Sequence, residues 1–300
     1  MVRHAELAEL ELPDFGVPTV EPIIPAETYR ARISELRRRA GEEGHDHIAV
    51  YADREHFANL AYLTGYDPRF EEALLLVDVS GGSKPRLVLG HEGMGYVPVS
   101  PIEGDLDPVL YPSFSLMGQR RDATRLEEIL KGAGLRRPDS VGVVGWKYFQ
   151  PQEAEAQETR LEVPSYIADA LRSVVGRENV MNANAIMMKP ESGLRTSNEV
   201  DQLAWFEFAA THTSQAVRDV VFGLRPGVSE YDAVRLMALN GIPLSCHLML
   251  SSGPRASMGL GSPSSRVIER GDPFTTAYGV WGALNCRAGF VVEGPEELPA

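Results

Sequence analysis

Short apolar runs bounded by Gly, Pro and Asp alternate with amphipathic stretches over the first 185 or so residues of the chain. Residues 47–51, 73–77, 85–89 and 140–145 are such runs, and their length and flanking residues predict buried strands. Between and around them the apolar positions fall at helical spacing over 28–40, 120–133 and 164–175. Strands mixed with helices in this way predict an α/β layer domain over 27–185. Ahead of it, residues 1–26 carry Pro13, Pro18, Pro22 and Pro25 and read as an extended N-terminal arm.

The period changes after a joint at 189–198, which holds Pro190 and Gly193. Ser197 is placed to cap a long helix, with Glu199 near its positive end. That helix is predicted to run to about Phe222 and to bury Val200, Leu203, Phe206, Ala210, Val217 and Val221. Arg225-Pro226-Gly227 stops it, and Ser229 with Asp232 starts a second helix that ends near Asn240-Gly241. A strand carrying His247 and a hairpin with turn glycines Gly279 and Gly282 are expected to follow.

Composition narrows the function classes. The chain has 300 residues, 43% hydrophobic and 24% charged, an ordinary globular balance with room for two cores. Its net charge of −13 argues against a nucleic-acid partner, which would need a basic stripe. The run Arg37-Arg38-Arg39 lies among glutamates and reads as a solvated helix face. Two cysteines, Cys246 and Cys286, make no disulfide framework and fit a reducing, cytoplasmic setting. No apolar run reaches the ~20 residues of a membrane helix, so no membrane partner is expected.

Candidate chemistry gathers between Ser252 and Phe290. Ser252-Gly253-Pro254, then Pro263-Ser264-Ser265-Arg266, then Gly271-Asp272 mark three turns, and two strands follow. This layout resembles the creatinase/prolidase superfamily of pita-bread hydrolases, which includes methionine and Xaa-Pro aminopeptidases. Residues 27–185 resemble the same superfamily's N-terminal domain, through Ala52-Asp53-Arg54-Glu55, Asn59-Leu60-Ala61-Tyr62-Leu63-Thr64-Gly65-Tyr66, Glu71-Glu72-Ala73-Leu74 and Val141-Gly142-Val143-Val144-Gly145. The resemblance implies an α/β N-terminal creatinase-like domain plus an α+β pita-bread domain over 186–300. Of that second domain only the first half is expected, so the sequence is expected to be a fragment of a longer protein.

The resemblance also implies where a metal centre would stand. The superfamily's first Asp ligand falls six residues after Gly271, on Ala277, and its second falls eleven further on, on Ala288. The substrate-side His of its Pro-His pair falls on Leu260. All three are apolar, so no metal and no other cofactor is expected. His45-Asp46-His47 has a metal-like spacing that alternate residues on a surface edge strand also produce. Asp272 is expected to be structural.

Creatinase, in the same superfamily, cleaves a C–N bond without metal. By that analogy the leading expectation is a metal-independent hydrolase or lyase of a small nitrogen-containing metabolite. His247 is its candidate acid–base group; Cys286 is a candidate nucleophile only if a base lowers its thiol pKa, and a buried, inert thiol is the expected state. Thr275, Tyr278, Trp281 and Arg287 are candidate substrate-binding residues: Arg for a carboxylate, Trp for a planar or cationic group. Strand alternation puts Thr275 and Cys286 on the Ala277/Ala288 side, and Thr276, Tyr278 and Arg287 on the other. The alternatives are a catalytically silent pita-bread module binding a small molecule or peptide, and third a metallo-aminopeptidase with substitute ligands. A homodimer is expected from the resemblance.

Overall fold

The computed structural model describes residues 11–12, 14, 16–116, 124–153 and 155–298. They form two compact units, one spanning Ile24–Glu199, the other running from Val200 onward and including the described residues before Ile24.

In chain order the first unit comprises α1 (Ala26–Glu42), β1 (His47–Ala52), α2 (Ala58–Thr64), β2 (Ala73–Asp78), β3 (Arg86–Leu89), α3 (His91–Tyr96), β4 (Asp107–Leu110), α4 (Leu126–Gly132), β5 (Val141–Val144), α5 (Ser165–Val175), β6 (Val180–Asn182) and α6 (Asn184–Met188). Its six strands form one mixed sheet in the order β4-β3-β2-β1-β5-β6. β1 runs antiparallel to β2 and parallel to β5. Alternation sorts the strand residues between two cores. Ile48, Val50 and Ala52 face α1, α2 and α6, packing with Leu36, Leu60, Leu63 and Met187. Ala49 and Tyr51 face α4 and α5, packing with Leu130, Ile167 and Leu171.

The four predicted strands are present within a residue or so of their expected bounds, and the helices over 28–40 and 164–175 are α1 and α5. The helix expected over 120–133 is observed as α4, and residues 120–123 lie outside the described ones. The expected domain boundary after residue 185 differs from the division at Glu199, because Ile186, Met187 and Leu194 are buried in the first unit's core. Arg32 fastens that end. Its side chain is 2% exposed, its Nη2 donates to Glu199 Oε2 at 2.6 Å, and its guanidinium sits 4.0 Å above the Tyr62 ring.

Two expectations for this unit are corrected. His45 and His47 do not form a surface pair, because β1 is a central strand. His47 is buried against Asp139 at 3.3 Å, whereas His45 Nδ1 lies 3.2 Å from Ser140 Oγ. The arginine run is only partly a solvated face. Arg38 pairs with Glu35 and Glu42, but Arg37 and Arg39 donate to the carbonyls of Asp78, Ser83 and Ser192.

The second unit comprises α7 (Val200–Gly223), α8 (Glu230–Val234), β7 (Met249–Ser252), β8 (Pro273–Val280) and β9 (Ala283–Phe290). The strands pair antiparallel in the order β7-β8-β9. α7 lies across them, burying Ala209, Ala216, Val217 and Val220 against Leu250, Phe274, Tyr278 and Val280. The buried stripe differs in part from the expected one: Val217 is buried as expected, but Val200 and Leu203 are exposed and Phe206, Ala210 and Val221 half-buried, while Phe208, Ala209, Thr213 and Ala216 are buried. Apolar residues stand all round the first half of α7, so the period alone does not select a face. Ser229 caps α8 by accepting from the Asp232 N–H at 3.1 Å, as its spacing predicts, but the helical segment ends at Met237, short of Asn240. Described arm residues belong to this unit: Pro18 O lies 3.0 Å from His212 Nε2, and Asp14 lies 3.8 Å from Arg218. Pro13 lies outside the described residues. No described helix is long and apolar enough to cross a membrane.

Candidate functional site

Two of the three motif turns converge on one buried carboxylate. Glu230, the first residue of α8, is fully buried. Its Oε1 accepts from the Ser252 N–H and hydroxyl at 2.7 and 2.8 Å. Its Oε2 accepts from the Ser264 N–H and hydroxyl at 2.9 and 2.7 Å, and from Arg255 Nη1. Burial pushes this carboxyl up, but the Ser264 and Ser252 donors outweigh it and hold Glu230 below the usual carboxylate range. One acid thus ties the Ser-Gly-Pro turn to the Pro-Ser-x-Arg turn. Asp272 of the Gly-Asp turn completes the frame. It accepts from both Arg266 Nη atoms at 2.6 and 3.1 Å, and Arg266 Nη1 also donates to Ser252 Oγ at 3.0 Å. Gly253 sits between them at φ +56°, where a Cβ would come within 2.5 Å of Arg266 Nη2. Only glycine meets both conditions.

The frame presents a three-strand sheet whose two faces differ. Register puts Thr275 opposite Ala288 and Ala277 opposite Cys286, and directly opposed residues share a face. Ser251 and Met249 of β7 lie opposite Thr275 and Ala277, with Ser251 Oγ 3.0 Å from Thr275 Oγ1. This face therefore carries Ser251, Thr275, Ala277, Cys286 and Ala288. The other face packs on α7 and carries Thr276, Tyr278, Asn285 and Arg287, with Asn285 Nδ2 donating to the Thr213 and Ser214 hydroxyls at 3.0 and 2.9 Å. The parity expected for Thr275, Thr276, Tyr278, Cys286 and Arg287 is the parity observed.

The candidate residues are accordingly not assembled in one place. Tyr278 is 2% exposed within the α7 core, and burial pushes its phenol up. Arg287 is exposed on the α7 side and donates to Cys286 O at 2.7 Å. Trp281 stands at the β8–β9 turn, packed edge-on against Trp205 at 6.1 Å. Only Thr275 and Cys286 share the face with Ala277 and Ala288. Leu260 lies in the preceding loop and is 75% exposed.

Three local expectations are corrected. His247 is in an exposed loop two residues before β7, not on a strand, because pairing with β8 starts only at Met249. Cys286 is exposed rather than buried, since α7 covers the opposite face. Gly282 is a turn glycine, but Gly279 lies within β8, where a side chain would strike Ser245 Oγ and Cys246 Sγ at 2.5 and 2.9 Å. Asp272 is structural, as expected. Glu230, the centre of the frame, escapes sequence reading because it stands 22 residues before its first partner.

The donor set does not fit a dinuclear metal centre. Ala277 and Ala288 offer no ligand atom, and among the described residues no three His, Cys, Asp or Glu side chains are placed to hold a metal ion. Among the described residues neither His247 nor Cys286 makes a side-chain hydrogen bond to a potential acid or base.

Comparison with solved structures identifies the fold. The prolidase of Pyrococcus horikoshii matches with a TM-score of 0.61 at 15% identity, over 89% of this chain and 67% of its own. The Xaa-Pro dipeptidase of Bacillus anthracis matches with 0.59 at 18% identity, over 90% and 67%. The X-Pro aminopeptidase of Thermotoga maritima matches with 0.62 at 15% identity, over 88% and 66%. The chain has the fold of these creatinase/prolidase-type proteins: an α/β N-terminal domain followed by pita-bread structure. It spans about two thirds of their length. No family model and no curated protein matches the sequence.

Proposed function

We propose that this protein is a metal-independent relative of the pita-bread peptidases, acting as a hydrolase or lyase on a small nitrogen-containing metabolite. One observation carries the reading. The hydrogen-bonded frame that shapes the face is intact, while Ala277 and Ala288, where ligands would stand, are bare beside Ser251, Thr275 and Cys286. On that face Cys286 and Ala288 are exposed and Thr275 is half-buried, whereas Ser251 and Ala277 are buried, so the Cys286 thiol and the Thr275 hydroxyl are the groups a small ligand would meet. Cys286 and His247 are the proposed nucleophile and acid–base group, Thr275 is a proposed contact, and a homodimer is part of the proposal.

A catalytically silent binding module is the second reading, favoured by the separation of His247 from any orienting partner among the described residues. A metallo-aminopeptidase with substitute ligands ranks third. Incubating the full chain with amides, ureas and guanidino compounds, with and without chelator, separates the three. Turnover that survives EDTA and drops at least a hundredfold in His247→Ala supports the proposal. Saturable binding without turnover supports the silent module, and activity abolished by EDTA supports the metallo-enzyme.

A further inference from the structure

A second group of ionisable and aromatic side chains stands in the first unit, at the carboxyl ends of β1 and β5. These strands are parallel neighbours, with Val50 paired to Val144. The chain leaving β1 turns to α2 on one face of the sheet, and the chain leaving β5 reaches α5 on the other. Divergent connections of this kind open a crevice between the strand ends, the place where open α/β sheets take ligands.

Six residues surround this point. Asp53 follows β1 directly, and its carboxylate holds His56 Nδ1 at 3.0 and 3.1 Å. The His56 ring stacks on Trp146, two residues past β5, at 4.4 Å between centroids and 26° between planes. Glu72, just ahead of β2, accepts from Tyr51 at 2.8 Å and from Tyr166 at 2.8 Å, both on Oε1. The Tyr51 hydroxyl also lies 3.4 Å from Asp53 Oδ2. Burial and the Glu72 charge push the Tyr51 phenol well above its usual range, so it remains a donor.

The charge balance is what points to a ligand. Both phenol protons go to one oxygen of Glu72. Among the described residues no donor reaches Oε2, and no Lys or Arg lies within ion-pair distance of this carboxylate. Among the described residues, His56 is the ion-pair partner that Asp53 has. Two carboxylates repel an anion, and the neighbouring aromatic residues Trp146 and Tyr166 are 47% and 41% exposed.

We propose that this crevice binds a small organic cation, an ammonium carried on a flat or apolar body. Glu72 Oε2 accepts from the ammonium, and Trp146 and Tyr166 flank the body. The site belongs to the first unit alone and does not depend on the function proposed for the β7–β8–β9 face.

Calorimetric titration of the full chain with benzylammonium, benzyl alcohol and benzoate tests it. Saturable benzylammonium binding at least tenfold tighter than that of the alcohol is expected, with none for benzoate. Glu72→Gln keeps an acceptor for the two phenols and should erase that tenfold preference, while Trp146→Leu should weaken amine and alcohol alike. Equal affinity for amine and alcohol, absence of saturable amine binding by the wild-type chain, or an unchanged preference in folded Glu72→Gln would overturn the proposal. If the cluster serves only to pin α5 to β1 and β2, Glu72→Gln lowers thermal stability and the wild type binds no amine.

Discussion

Within the second unit, two sets of positions a few residues apart have opposite characters. The frame of Glu230, Ser252, Ser264, Arg266 and Asp272 has its carboxylate oxygens saturated by donors, and the acid at its centre is sealed from solvent. The positions that the resemblance assigns to ligands, Ala277, Ala288 and Leu260, make no polar side-chain contact at all. Folding and ligand chemistry are therefore separable here. The turns that build a pita-bread face hold their shape through hydrogen bonds that need no metal.

The sharpest way to break that contrast is Glu230→Ala. It leaves Arg255 and four hydrogen-bond donors facing an empty site, and a loss of roughly 3–5 kcal/mol is expected, as for breaking a buried ion pair. Urea unfolding of the full chain measures it, and a loss under about 1 kcal/mol would mean the frame is ornamental. Gly253→Ala comes next, at about 1–3 kcal/mol, since it combines a left-handed backbone with a contact on Arg266. Replacing Arg266 with Leu in the same protein should relieve the contact, so the two losses should not add.

A pH series sharpens the same point with a smaller effect. Glu230 is held below the usual carboxylate range, so its contribution is fully present above that range and is lost as pH falls through its folded value. Wild-type stability should thus decline on the acid side more steeply than that of Glu230→Gln, which has nothing to protonate. Parallel slopes would show that the frame acid does not govern acid unfolding. The smallest effect belongs to Ala288→Asp, which places a carboxylate on an exposed strand position. It should change stability by about 0.5 kcal/mol or less.

The sequence discloses this molecule unevenly, and the reasons are physical. β1, β2, β3 and β5 were legible because central strands buried on both faces must be continuous apolar runs. β4 and β6 were not: Asp107–Leu110 is half exposed at one sheet edge, and Val180–Asn182 is three residues long at the other. The motif turns were legible because Ser, Arg and Asp there do specific bonding, and the side of each β8 and β9 residue followed from strand alternation. Glu230 left no local trace, since an acid early in a helix is ordinary until its distant partners fold onto it. The exposure of Cys286 and His247 depended on which face α7 covers, and the all-round apolar first half of that helix concealed the choice.

Cys286 has a practical consequence. It is the exposed one of the chain's two thiols, with Cys246 half-buried, and it projects from the same face as Ala277 and Ala288. The protein thus carries its own attachment point for an environment-sensitive dye, a spin label or a fluorine tag. Whatever settles on that face will report its arrival through a residue that need not be engineered.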